Sequence, residues 1–217
     1  MTHIQPKIKI CGITRLEDAL AATFAGADAL GFNFSHTSAR YIAPNNAAAI
    51  IKQLPPFVQT VGIFVEQSPS EINAIAQTCN LHYAQLHNDL YGVKEALAIT
   101  TLPVIKVFRP NENFDVQEVK AFIGESHVTT YLFDAYRPDA HGGTGERIEA
   151  TLAERIFQAM GNECYAILAG GLTPNNVAEA IRRIRPYGVD TASGVEKAPG
   201  IKDVAKMRAF VTAAQNA

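Results

Sequence analysis

The segment Tyr165-Ala166-Ile167-Leu168-Ala169-Gly170-Gly171-Leu172-Thr173-Pro174 opens as an apolar run, breaks at a glycine pair and leads into a stretch with helical spacing. After that stretch, Gly188-Val189-Asp190-Thr191-Ala192-Ser193-Gly194-Val195-Glu196 repeats the plan: a short β-rich run that again ends in a glycine turn. Two strands joined through a helix are the signature of a parallel pair with a crossover. Working outward, the same alternation fills the chain. Strand-like runs fall at Ile8–Cys11, Ala29–Phe34, Thr60–Val65, Tyr83–His87, Val104–Phe108, Tyr131–Asp134, Tyr165–Ala169 and Gly188–Ser193. Helical spacing falls at Thr14–Ala25, Asn45–Gln53, Ser68–Thr78, Leu90–Ile99, Val116–Ile123, Ala150–Ala159, Pro174–Ile184 and Lys202–Ala214. Thr14 with Glu17 fits a capping box, while Ser68-Pro69-Ser70-Glu71 and Thr173-Pro174 put Pro just after a candidate N-cap.

Eight strand-like runs alternating with eight helical ones predict an α/β fold with a parallel sheet. Eight is also the number that closes a (β/α)8 TIM barrel. Residues 1–217 are therefore read as one barrel domain, short against the usual ~250 residues. An open doubly wound sheet is the structural alternative.

Composition narrows the function. Of 217 residues, 47% are apolar, enough for a buried core and against a disordered chain. The 19 Lys and Arg against 21 Asp and Glu leave a net charge of −2, which excludes a nucleic-acid binder working through bulk charge. No apolar stretch is long enough to span a bilayer. Met1-Thr2-His3-Ile4-Gln5-Pro6-Lys7 lacks the basic and apolar regions of a secretory signal. The three cysteines, Cys11, Cys79 and Cys164, are too sparse for a disulfide framework or a zinc knuckle. The expectation is a cytoplasmic protein with free thiols and no membrane or nucleic-acid partner.

In a barrel, chemistry gathers where strands end. The residues standing there are Cys11-Gly12, Phe34-Ser35-His36, Gln85-Leu86-His87, Arg109, Asp134-Ala135, Gly170-Gly171 and Ser193-Gly194. Glycines after the last two strands let backbone N–H groups approach an anion closely, as in the phosphate cradle of these barrels. Ordinary turns are the plainer reading. Lys7-Ile8-Lys9-Ile10-Cys11 alternates, so Lys9 and Cys11 share the face pointing into the barrel. The nearby cation and a helix starting at Thr14 would both favour a Cys11 thiolate over a plain buried thiol. Asp134 ends an apolar strand, where burial would hold it protonated as a general acid. Arg40 is placed to grip a carboxylate with two prongs, or else is solvated. Gly142-Gly143-Thr144-Gly145 lies in a long connection suited to a lid. His36, His87 and His141 have no metal-ligand spacing, so neither metal nor cofactor is expected.

Taken together, Lys9-Ile10-Cys11-Gly12-Ile13-Thr14, Leu30-Gly31-Phe32, Ser38-Ala39-Arg40-Tyr41, Val61-Gly62-Ile63-Phe64, Gln85-Leu86-His87, Asp134-Ala135, Gly142-Gly143-Thr144-Gly145, Ala169-Gly170-Gly171-Leu172 and Asp190 through Glu196 resemble the phosphoribosylanthranilate isomerase family. The resemblance runs from about Lys7 to Phe210. It implies an Amadori rearrangement in tryptophan biosynthesis, with Cys11 as general base and Asp134 as general acid. It also implies Arg40 on the anthranilate carboxylate, and Gly170, Gly171, Ser193 and Gly194 around the substrate phosphate. A monomer or a homodimer is compatible with it. Three departures from the family pattern stand out: Ala39 in place of Pro, Asn88 in place of Gly, and Glu146-Arg147-Ile148-Glu149 after the glycine-rich loop. Alternative readings are a related phosphate-binding barrel enzyme of histidine or tryptophan biosynthesis, or a sugar-phosphate-binding barrel without turnover.

Overall fold

A computed structural model describes residues 5–111, 113–134, 150–161 and 163–217. Ala135, His141, the Gly142–Gly145 loop and Glu146-Arg147-Ile148-Glu149 lie outside the described residues. The elements alternate as β1 (Lys7–Ile10), α1 (Leu16–Ala25), β2 (Ala29–Asn33), α2 (Pro44–Ile51), β3 (Gln59–Phe64), α3 (Pro69–Cys79), β4 (Tyr83–Leu86) and α4 (Val93–Leu97). They continue with β5 (Val104–Phe108), α5 (Val116–Ser126), β6 (Thr130–Phe133), α6 (Ala150–Met160), β7 (Tyr165–Leu168), α7 (Val177–Ile184) and β8 (Gly188–Thr191). A hairpin of β9 (Glu196–Ala198) and β10 (Ile201–Lys202) precedes α8 (Val204–Gln215).

The sheet closes. β1 pairs in parallel with β2 on one side and with β8 on the other, in register from Lys7↔Gly188 to Ile10↔Thr191. That seam decides for the barrel over an open sheet, whose edge strands would stay unpaired. Strand alternation then sorts the side chains into two layers. Ile8, Ile10, Leu30, Phe32, Phe64, Ala84, Leu86, Tyr131 and Phe133 point outward and pack under the helices. Val61, Ile105, Val107, Leu132, Ile167 and Ala169 fill the barrel interior. Lys9 points inward as its alternation predicts, and meets Asp190 there.

Three helix starts differ from the sequence reading. Thr14 does not cap α1: its hydroxyl donates to Gly200 O at 2.5 Å, and the helix begins at Leu16. Its first turn is held instead by the fork of Arg15 on Asp18, at 2.9 and 3.0 Å. Thr173-Pro174 does not open α7 either. Asn176 closes a turn over those residues, accepting from Thr173 N and donating to Gly171 O, and the helix starts at Val177. The Ser68 capping box does form, with both reciprocal bonds to Glu71. Lys202, read as a helix start, instead lies in the hairpin. Among the described residues no helix is long and apolar enough to cross a membrane.

Candidate active site

The C-terminal ends of the strands surround a cavity of about 500 Å³. Its wall includes Cys11, Arg40, Gln85, His87, Arg109, Asp134, Gly170, Gly171, Asp190 and Ser193, so residues from seven strand ends or the loops after them share one space. A cavity of this size suits a drug-sized ligand. Gly194 is the one candidate that does not line it. A Cβ there would stand 2.0 Å from Leu172 O, so this glycine lets the loop after β8 press against the loop after β7. On the β7 side, Gly170 and Gly171 both adopt left-handed backbone, with φ of 91° and 62°. That conformation turns the chain sharply beside the cavity and suits glycine best.

On one side stands Cys11, directly after β1, its N–H bonded to Thr191 O at 2.8 Å. Below it in the barrel, Lys9 Nζ donates to Asp190 Oδ1 at 2.8 Å, with both side chains almost wholly buried. Burial opposes the Lys9 ammonium, but Asp190 and Cys11 outweigh it and its pKa lies above the ordinary lysine value. For Cys11 the balance falls the other way. Burial is the largest influence and Asp190 adds to it, so the thiol sits above its usual value although Lys9 and Lys202 pull it down. The expected push toward thiolate is present in sign and is outweighed by desolvation. Because α1 begins at Leu16, its N-terminus is also set back from the position assumed for it.

Asp134, which lines the same cavity, follows β6, with its N–H on Phe108 O at 3.0 Å. Its side chain is partly exposed to the cavity, and Oδ2 lies 3.4 Å from His87 Nε2. The other ring nitrogen, Nδ1, is 3.0 Å from Gln85 Nε2. Gln85 thus holds the Nδ1 side of the ring while Nε2 faces Asp134. Arg109 Nη2 holds the His87 carbonyl at 2.9 Å. Gln85 Oε1 is buried without a partner among the described residues. Sequence reading placed Gln85 and His87 at a strand end but did not see that they form a chain ending on Asp134. The period-2 pairing of Gln85 and His87 on one face was the available signal.

Arg40 makes the two-pronged contact expected of it, but with a protein carboxylate. Nε meets Glu196 Oε1 at 2.9 Å and Nη2 meets Oε2 at 2.7 Å. Lys202 Nζ also binds Glu196, at 2.8 Å, and Gly200 N donates to the same oxygen. Arg40 and Lys202 outweigh burial and hold Glu196 below the ordinary carboxylate value. Neither Glu196 nor Lys202 was singled out from sequence. Pro199-Gly200 between two short polar-apolar pairs was the hairpin signal that would have located them.

Comparison with known proteins bears on the family and the fold. A family model described as N-(5'-phosphoribosyl)anthranilate isomerase matches residues 8–213. The chain belongs to that family. An N-(5'-phosphoribosyl)anthranilate isomerase of Chlorobium phaeobacteroides is 66% identical, over 95% of this chain and 96% of the relative. The crystal structure of phosphoribosyl anthranilate isomerase from Thermotoga maritima superposes with a TM-score of 0.85 at 36% identity, covering 98% of this chain and all of that one. A phosphoribosyl anthranilate isomerase solved with reduced 1-(o-carboxyphenylamino)-1-deoxyribulose 5-phosphate gives 0.82 at 34% identity over the same shares.

Within the isomerase family pattern, Asn88 replaces a glycine and has local work to do. Its Nδ2 donates to Val65 O at 2.8 Å and its carbonyl accepts from Lys106 Nζ at 3.0 Å, tying the loop after β4 to its neighbours. Burial brings that Lys106 amine down to about 8. Ala39, the other described departure, leaves the turn intact, with Arg40 N donating to Ser38 Oγ at 3.1 Å.

Proposed function

We propose that this chain performs the isomerisation of its family, converting N-(5-phosphoribosyl)anthranilate to 1-(2-carboxyphenylamino)-1-deoxyribulose 5-phosphate, with Cys11 as base and Asp134 as acid. The observation supporting these roles is that the two groups, following β1 and β6, line one cavity. The Asp134 carboxyl gives its proton to the ribose ring oxygen as the C1–O bond breaks, and the anthranilate nitrogen pair forms C1=N⁺. The Cys11 thiolate takes the C2 proton, and the C–H electrons form the C1=C2 bond of an enolamine. Loss of the C2 hydroxyl proton and gain of one at C1 complete the ketone. A pre-positioned acid and base each contribute on the order of 10²–10⁴ in rate.

The loops at Gly170-Gly171 and Ser193 offer backbone N–H groups to the phosphate, while Gly194 sets their spacing. Arg40 keeps its Nη1 edge for the anthranilate carboxylate, since Nε and Nη2 are engaged by Glu196. Asp134 must be protonated to act, and His87 beside it can return that proton from its imidazolium form, becoming neutral as it does so. We infer a reducing cytoplasmic setting from the three free thiols, and action as a monomer or homodimer. Loss of phosphoribosylanthranilate fluorescence provides the test. Cys11→Ala and Asp134→Asn should each lower kcat at least about 10²-fold with the circular dichroism spectrum retained. Near-parental turnover by either variant would remove that residue from its role.

A further inference from the structure

Lys202 is the most deeply buried cation in the described structure, with a side chain 0% exposed, and the chemistry above does not use it. It sits on β10, far in sequence from Cys11, yet its Nζ donates to Cys11 O at 2.5 Å, to Ala192 O at 3.1 Å and to Glu196 Oε1 at 2.8 Å. Its own N–H is anchored on Asp18 Oδ2 at 3.0 Å. One ammonium thus gathers the end of β1, the end of β8 and the hairpin, while the backbone N–H of the same residue ties in α1.

The charges around Cys11 can be followed element by element. From its own strand comes Lys9 and from β8 Asp190, matched one to one. From the loop after β2 comes Arg40, and from the hairpin Glu196 and Lys202, two cations sharing one carboxylate. Behind the hairpin, Arg15 answers Asp18 and also reaches the exposed Glu17, so this partly exposed group lies outside the buried count. Elsewhere on the cavity wall stand Asp134, His87 and Arg109. The cluster on the Cys11 side therefore carries one positive charge more than its carboxylates answer. A buried charge is tolerated when it is paired. An anion at Cys11 Sγ is the group that completes the count.

We propose that Lys202 is a positioning residue for Cys11, fixing the end of β1 through the Cys11 carbonyl and supplying the surplus positive charge that an ionised Sγ balances. Lys9 also acts on Cys11, by attraction and by a hydrogen bond, but its charge is matched by Asp190, which itself opposes the thiolate. The bidentate fork of Arg40 occupies both oxygens of Glu196, so Lys202 is left with a shared counter-ion. The electrostatics agree in sign, since Lys202 favours the Cys11 thiolate and Cys11 in turn favours the Lys202 ammonium.

The proposal rests on Cys11 being the base, but its test reads the thiol without substrate, so the two ideas can fail separately. The measurement is the pH dependence of iodoacetamide alkylation at Cys11 in the full chain, followed by peptide mass spectrometry so that Cys79 and Cys164 do not contribute. Lys202→Met should raise the midpoint by about one unit or more. Glu196→Gln removes the shared carboxylate and should lower it. Loosened packing cannot move the midpoint in opposite directions in the two variants. Shifts of the same sign, or none in either variant, would overturn the proposal. Should Lys202→Met not fold, Glu196→Gln decides alone: a lowered midpoint supports the assignment, and an unchanged or raised one refutes it. Full turnover by Cys11→Ala would sink the base assignment while leaving these shifts in place.

Discussion

Replacing Asp190 by Asn isolates the ion pair at the seam of the barrel. Lys9 and Asp190 are register partners across the β1/β8 junction, 2.8 Å apart, with side chains 5% and 10% exposed. Asparagine keeps the shape and removes the charge, leaving the Lys9 ammonium in the interior without its counter-ion. Losing one partner of a buried pair costs about 3–5 kcal/mol. For a chain of this size each kcal/mol moves Tm by about 2–4 °C, so the fall should be roughly 6–20 °C. The sign of the pH dependence follows from Lys9. Its folded pKa is raised above the ordinary 10.5, so its share of stability is fully present below that value and is lost as pH climbs through the higher folded one. The parent's share should therefore stay level up to about 10.5 and fall above it, while the variant, its Lys9 opposed by burial, gains stability as pH rises toward 10.5, so the gap narrows with rising pH. Urea unfolding at several pH values, read by circular dichroism, measures this. Lys9→Met combined with Asp190→Leu should recover most of the loss, because two apolar groups need no partner. A Tm within about 2 °C of parent for Asp190→Asn, or a double variant less stable than the single, would refute the reasoning.

The remaining expectations are briefer. Gln85→Leu removes the polar partner of His87 Nδ1; about a tenfold fall in kcat with little change in KM is expected, the worth of one hydrogen bond. An unchanged kcat would free His87 from any dependence on Gln85. Gly194→Ala drives a Cβ into Leu172 O and should raise KM for the phosphorylated substrate far more than it lowers kcat, measured by steady-state fluorescence. Glu196 has a depressed folded pKa, so its stabilisation is present above the ordinary 4.5 and lost as pH falls through the folded value. Glu196→Gln should accordingly be less stable than parent at neutral pH, with the difference shrinking on acidification below 4.5 in thermal melts.

Local pattern was enough for the elements and for one half of the site. The alternation from Lys7 to Cys11 separates inward from outward side chains because successive residues of a strand face opposite ways, whatever the rest of the fold does. Eight such runs, each followed by helical spacing, specify a βα repeat, and the residues just after each run are necessarily at one end of it. Cys11, Asp134 and the glycine loops were found by that rule alone. Helix starts were less legible. Thr14 and Thr173 carry good capping chemistry, but Thr14 is drawn to Gly200 and Thr173 into a turn closed by Asn176, and both contacts arise only in the folded chain.

What the tertiary structure decided is how each group is answered. Lys9 meets Asp190 across 181 residues, Arg40 meets Glu196 across 156, and Lys202 reaches Cys11 O across 191. None of these partners is prescribed by neighbours in the chain, because closure of the sheet brings β1 against β8 and folds the hairpin over the end of β1. The sequence by itself determined an eightfold βα repeat with a thiol and a carboxylate at its strand ends. Closure decided that the thiol is desolvated among five charged side chains and that the arginine's fork is already filled. Burial and charge depend on everything that surrounds a group, whereas periodicity depends only on the residues beside it.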